Sequence, residues 1–405
     1  MRALLCPEAE FLALTAAGPA NDSALLEILE RPFDWAALCA FARADRAMPI
    51  IWRCVQRLGC DVPEPAVEHI RRAAMVSEFE LLRAEGRLRE TIHALARGGI
   101  HVVLLKGAAV VHAAYGSFAE RPMADFDLLV ESGRIEEAQR IALGVDWVRS
   151  PGAAPDGAYL SHHHAVPLVD ATGTGMQLEL HTGLFIPGHP FELSADAVRR
   201  RAYPVDVGGC TVGVPQHSVL LLHTCLHFAW SHGMRKGGWR TLRDIARLAG
   251  GRPQLWDEFV PRAIEARGST CCYWTLRLAR DLAAIPVPDH VLSALETPMP
   301  EVFRTRIARH FALHLFASDV VCPSARLDRA VWNAAVLPRW SGHGRARPWN
   351  QAHGFLPARA RASRTARART TLTRQMGLVP QWTRYLRAIL GGAQHPEAAS
   401  LRNGM

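Results

Sequence analysis

The sequence predicts an α+β protein in which a small mixed β-sheet core over residues 99–215 is flanked by N-terminal and C-terminal helical regions. Three observations lead there. Residues 66–97 lack Pro and are rich in Ala, Leu, Arg and Glu, good helix formers, until Gly98-Gly99 ends the run. From His101 the pattern changes to short apolar runs with β-branched residues, separated by turn residues. From Gln216 the apolar residues return to spacings of three and four.

Taken in order, residues 1–98 read as helical, with DWAALCAFARADRA showing the helical spacing. HVVLLK (101–106) is a buried strand and GAAVVHAAY (107–115) an Ala-rich helix. DFDLLV (125–130) is a second strand, RIEEAQRIAL (134–143) an amphipathic helix and VDWVRS (145–150) a short strand. AVPLVD (165–170) and MQLELHTG (176–183) make a hairpin turned by Ala-Thr-Gly-Thr-Gly, and YPVDVGGCTVGVP (203–215) makes another, turned at Gly208-Gly209. Residues 216–328 form a helical region and 329–405 an Arg-rich C-terminal segment, loop-rich over 338–358.

The composition narrows the class. With 49% hydrophobic and 21% charged residues, a chain of 405 residues buries a sizeable core without staples. The nine cysteines are odd in number and contain no C-x-x-C pair, which argues against a disulfide framework or a structural zinc site. No apolar run reaches the roughly 18 residues that cross a bilayer. Glu8 and Glu10 interrupt the apolar start that a secretory signal would keep unbroken. The expectation is a cytoplasmic protein with no membrane partner. The net charge of +9 is unevenly placed: residues 329–405 carry 13 Arg against one acid, Glu397, so the body is mildly acidic. Lysine occurs twice, at Lys106 and Lys236, in a chain that otherwise uses Arg.

Lys106 falls in the most informative motif. A strand ends at Lys106, Gly107 follows and a helix begins. Backbone N–H groups at a helix start have no internal partners and suit a phosphate; Gly allows its close approach, and Lys adds a compact, mobile positive charge. Asp125 and Asp127, two apart in a strand, share a face. Carboxylates so placed repel unless a divalent cation lies between them, and Mg²⁺ takes hard oxygen ligands shared with substrate phosphates. Glu179 alternates with Leu178 and Leu180 in QLELH, so it faces away from them, toward the aspartates. Three carboxylates on neighbouring strands hold one or two metals for phosphoryl transfer.

The segment LLKGAAVVHAAYGSFAERPMADFDLLV resembles the uncharacterised bacterial nucleotidyltransferase family, within the polymerase-β-like nucleotidyltransferase superfamily. QLELHTGLF resembles that family's later acidic strand, and HSVLLLHTCLHFAWSHG with WRTLRDIARL its downstream helices. The resemblance covers roughly residues 95–250 and implies a nucleotidyltransferase core. Asp125, Asp127 and Glu179 would be catalytic and bind Mg²⁺ or Mn²⁺. Lys106, Gly107, Arg121 and His181 would contact the nucleoside triphosphate, ATP first among them. Where the wider superfamily has Gly-Ser, this chain has Lys106-Gly107. The implied reaction moves a nucleoside monophosphate to an acceptor hydroxyl on a peptide natural product, a small molecule or a protein. Two alternatives stay open: kinase-like transfer of the γ-phosphate, and a non-catalytic, antitoxin-like module that binds a nucleotide or a partner.

Weaker signals surround this set. His162-His163-His164 precede a strand, and alternation would let only His162 and His164 point together. His181, two residues beyond Glu179, shares its face. His223 and His227, spaced i, i+4 with no H-E-x-x-H, read as structural or pocket-lining. Asp244 reads as a cap or a partner for a nearby Arg, and Arg235 and Lys236 sit in a Gly-rich turn. The tail segment ARARASRTARARTTLTR suits surface docking or an acidic or nucleic-acid partner, without interleaved aromatics for stacking.

Overall fold

A computed structural model describes residues 1–235, 237–316, 320, 322–337 and 379–391; Lys236, the loop-rich stretch 338–358 and the densest Arg-rich segment lie outside the described residues. The α+β expectation holds: helices flank one seven-stranded mixed sheet.

Five helices come first: α1 (Pro7–Thr15), α2 (Asp22–Leu29), α3 (Trp35–Ala44), α4 (Met48–Leu58) and α5 (Glu64–Arg97). The Asp34 carboxylate starts α3 by accepting the N–H groups of Ala36 and Ala37. Gly98-Gly99 ends α5 as the sequence indicates, with Gly99 at φ +69°.

The core then runs β1 (Val103–Leu104), α6 (Lys106–Ala114), β2 (Asp125–Leu129), α7 (Ile135–Leu143), β3 (Trp147–Arg149), β4 (Leu168–Asp170), β5 (Gln177–His181), α8 (Ala195–Arg200), β6 (Ala202–Val207) and β7 (Cys210–Pro215). The strand order is β3-β4-β5-β2-β1-β7-β6. β2–β5 and β1–β7 are parallel and the other pairs antiparallel. Both expected hairpins are present, and Gly208 (φ +63°) and Gly209 (φ +90°) supply the two positive φ angles of a tight β6–β7 turn. β1 is shorter than the HVVLLK run at both ends, and at its C-terminal end the backbone turns at Lys106 to φ +43°, which stops extended structure there.

The sheet has two unlike faces. Phe126, Leu128, Leu178 and Leu180 are buried, and Phe126 meets Trp147 with ring centroids 6.4 Å apart. On this side α5 is tied to the sheet edge. The Trp147 indole N–H donates to Thr91 Oγ1 at 2.8 Å, and Arg87 pairs with Asp170 at 2.8 Å, both partners buried. The other face carries Asp125, Asp127, Glu179 and His181, in line with the period of two.

The downstream helices α9 (His217–Leu226), α10 (Gly238–Ala249), α11 (Leu255–Glu265), α12 (Ser269–Ala283), α13 (Asp289–Leu295), α14 (Glu301–Leu315) and α15 (Ala325–Val336) follow, with one more helix at Val379–Leu390. α6 packs against α9 and α10, which brings them over the acidic face. The N-terminal helices join the same body. Trp239 donates to Thr15 Oγ1 at 3.0 Å, Asn21 donates to the Ala283 carbonyl at 2.9 Å, and one hydrophobic cluster runs from Leu5 to Val336. Among the described residues, no helix is long and apolar enough to cross a membrane.

Candidate active site

The centre is built by register. Parallel pairing sets Asp127 opposite Glu179 and Asp125 opposite Gln177, so β2 and β5 deliver their acids to one face. Between them reaches Lys106 from the start of α6. Its Nζ lies 2.6 Å from Asp127 Oδ1 and 3.8 Å from Glu179 Oε2. His181 closes the other side, with Nε2 at 2.8 Å from Asp127 Oδ1 and 3.3 Å from Glu179 Oε2. The ligand atoms of Asp127, Glu179 and His181 all lie within 4.8 Å of one another, while Asp125 stands outside that group on the wall of the same cleft.

The local backbone is unusual at the same point. Lys106 is a non-glycine residue in the left-handed region, a conformation that costs roughly 1–2 kcal/mol. Such strain persists where the surroundings over-determine it, and here two carboxylates hold the ammonium. Gly107 leaves room for the Arg121 side chain. A Cβ there would collide with Arg121 Nη1 and come within 3.1 Å of Arg121 Cζ.

The charges are mutually compensated. Burial opposes ionisation of Asp127, yet Lys106 and the His181 hydrogen bond hold its carboxyl well below the usual range. Glu179 is likewise held well below, against its burial, by His181 and Lys106. Burial also opposes the charges on Lys106 and His181, but the surrounding carboxylates raise both. Asp125 goes the other way, raised first by burial and then by the Asp127 charge.

The chain belongs to the uncharacterised nucleotidyltransferase family. That family's model matches residues 31–284, from just before α3 to the end of α12, so it takes in the acidic sheet face and the helices over it. Membership points to a transferase acting in nucleotidyl transfer. No curated protein matches the chain.

Within this family frame, Arg121 and Asp244 prove to be partners. Arg121 donates to Asp244 through Nε at 3.1 Å and Nη2 at 2.7 Å, and Tyr115 donates to Asp244 Oδ1 at 2.9 Å. Asp244 thus pairs with an arginine, as its sequence context indicated, and it holds Arg121 against Gly107. Arg240, one turn before Asp244 on α10, was not singled out from the sequence. It lines the cleft, burial and then the Arg121 charge lower its pKa, and among the described residues no carboxylate lies within ion-pair distance of it. The i, i+4 spacing of Arg240 and Asp244 was the available signal, since it sets both on one helix face.

His223 and His227 line the cleft from α9 and the π-helical turn His227–Ser231. Burial pushes His223 down to about 3 and His227 well below its usual value, so both are neutral at pH 7. The histidine triplet departs from the alternation argument. His162, His163 and His164 all converge, with ring centroids 4.1 to 4.8 Å apart. Their segment is irregular apart from a single bridge, His164–His181, so strand alternation does not govern it. His163 and His164 each pack 5.3 Å from the His181 ring, behind the acidic centre.

Proposed function

We propose that the protein is a metal-dependent nucleotidyltransferase that moves a nucleoside monophosphate from a nucleoside triphosphate, ATP first, to an acceptor hydroxyl. The observation that carries this reading is the in-register pair Asp127 and Glu179 with the Lys106 ammonium held between them at the mouth of a helix. The ammonium occupies a cation position among hard oxygen donors, and that donor set fits Mg²⁺ or Mn²⁺. Asp125, Asp127 and Glu179 would hold the metal, which supplies charge stabilisation for the phosphoryl oxygens when bound.

The chain's own residues do the rest. Lys106, freed from the carboxylates, follows the triphosphate charge, and the N–H groups at the start of α6, beginning with Gly107, face the phosphates. Arg240 offers a guanidinium across the cleft with no carboxylate among the described residues within ion-pair distance, while Arg121 is fixed by Asp244 and acts as a rigid cationic wall. His181 keeps Asp127 oriented. The acceptor oxygen forms a bond to the α-phosphorus, the bond to the bridging β-oxygen breaks, and pyrophosphate leaves. The acceptor proton passes to a carboxylate of the set, Glu179. Neutral His223 and His227 border the cleft without adding charge that would compete for phosphate.

The acceptor is a hydroxyl of a peptide natural product or a small molecule. A second cavity beside the start of β2, lined by Arg43, Arg46, Met123 and Met176, suits a partly apolar, acidic chain. A phosphate-rich or acidic partner for the Arg-rich C-terminal segment follows from its charge, and the cytoplasm supplies the triphosphate. The test is incubation with Mg²⁺ or Mn²⁺ and ATP labelled at the α- or γ-phosphate. Transfer of α-label with pyrophosphate release, lost in Asp127→Asn with an unchanged circular dichroism spectrum, supports the proposal. Transfer of γ-label, or saturable binding without turnover that Asp127→Asn leaves intact, overturns it.

A further inference from the structure

A second cluster of ligating side chains lies outside the matched segment 31–284, in the C-terminal helices. His310 and His314 are four apart on α14 and so share one face. Asp328, in the first turn of α15, points its carboxylate at both. His310 Nε2 lies 3.2 Å and His314 Nε2 3.7 Å from the same oxygen, Asp328 Oδ1, and all three ligand atoms lie within 4.8 Å of one another. We propose that His310, His314 and Asp328 form a binding site for a borderline divalent transition metal of the Zn²⁺ type, separate from the catalytic centre.

Four features of the geometry point to this. A tetrahedral ion with bonds of ~2.0–2.1 Å to nitrogen and oxygen sets its ligand atoms roughly 3.3–3.4 Å apart, and 3.2 and 3.7 Å bracket that spacing. The outer partners are also in place. His310 Nδ1 meets Tyr385 Oη at 2.8 Å, and Arg235 pairs with the other carboxylate oxygen, Asp328 Oδ2, leaving Oδ1 to the histidines. Hydrogen bonding does not satisfy the cluster by itself, because His314 Nε2 is buried with no hydrogen-bond partner among the described residues, a loss of about 1–3 kcal/mol. Finally, beside the main core that α14 and α15 also enter, the end of α14 meets the Val379–Leu390 helix in a small separate cluster, Leu4, Leu313, Val320, Tyr385 and Ile389, the sort of minor core that a metal staples. The cysteine pattern argues against a zinc site made of thiolates and says nothing of one made of imidazoles.

The ligands also set the class of ion. Two imidazoles and one carboxylate beside a guanidinium suit an ion that gains from nitrogen donors rather than from a high density of negative charge, which excludes Ca²⁺ and Mg²⁺ as the resident. Three protein ligands leave the fourth position to water. The site reaches the cleft through Arg235, because the turn that carries Arg235 also carries His232 and Gly237 of the cleft wall. Occupancy therefore fixes α14, α15 and the Val379–Leu390 helix together and steadies that turn.

The test uses the full chain with its catalytic acids neutralised, Asp127→Asn/Glu179→Gln, so that metal at the acidic sheet face does not count. After chelator treatment, Zn²⁺ is titrated against a chromophoric chelator and Co²⁺ binding is followed by visible absorption. The expected result is one Zn²⁺ per chain, a tetrahedral Co²⁺ spectrum and a higher melting temperature with Zn²⁺. Adding His314→Gln should weaken binding on the order of 100-fold and abolish the melting shift. Equal Zn²⁺ affinity with and without His314→Gln overturns the proposal. If His314→Gln fails to fold, the Co²⁺ spectrum of the background protein decides: an octahedral, water-like spectrum also overturns it.

Discussion

Replacing Lys106 with Met removes one charge from the centre while keeping the length of the side chain. Asp127 is 1% exposed and Glu179 20% exposed, and Lys106 is the ammonium shared between them. Removing one partner of a buried pair costs about 3–5 kcal/mol. Because Lys106 keeps 17% of its side chain in solvent, we expect the lower end, ~3 kcal/mol, in metal-free buffer at neutral pH. The sign of the pH dependence follows from Asp127, whose folded-state pKa is depressed by Lys106 and His181. Its stabilisation is present above the ordinary aspartate pKa and is lost as pH falls through the depressed value. The gap between wild type and Lys106→Met should therefore be widest near pH 7 and close in acid. Millimolar Mg²⁺ should recover most of the loss in Lys106→Met, because the cation takes the place the ammonium left, and should add less to the wild type. Urea denaturation with chelator or with Mg²⁺ measures all of this. A variant as stable as wild type without metal, or an equal Mg²⁺ effect on both proteins, would refute the idea that Lys106 stands in a cation site.

Arg240→Ala should weaken ATP binding on the order of tenfold with a smaller change in melting temperature than Arg121→Ala, since among the described residues no carboxylate lies within ion-pair distance of the side chain. Arg121→Ala should instead destabilise by about 3–5 kcal/mol, because it strands buried Asp244; calorimetric titration and thermal melts separate the two. Burial raises the Asp45 carboxyl from 3.8 to about 6, so the folded state holds that proton longer and stability falls as pH rises between those values. Asp45→Asn should add ~2–3 kcal/mol above pH 6 and nothing near pH 4, as read by urea melts at the two pH values. Arg87→Ala should cost about 3–5 kcal/mol through buried Asp170, and an unchanged urea midpoint would show that α5 is held by packing alone.

Much of the fold was written in local patterns. The 66–97 run and its Gly98-Gly99 stop, the two hairpins, and the alternation that sets Asp125 and Asp127 on one face and Leu178 and Leu180 on another all arise from period and propensity. Those are short-range properties, so a chain read in windows reveals them. What the windows lacked was pairing. The 127-to-179 register is a contact between positions 52 apart along the chain, and it decides that Glu179 rather than another acid meets Asp127. The same holds for the Arg121–Asp244 pair, the place of Arg240 on the cleft wall and the packing of α1 against α12, which merges the two helical regions. The left-handed backbone at Lys106 shortened a strand that propensity alone would have run on. The histidine triplet converged because its segment left the strand geometry that alternation assumes. By itself, then, the sequence determined on which face of an element the candidate acidic residues lie. Tertiary structure decided which of them meet, because charge compensation and burial depend on neighbours that are distant along the chain.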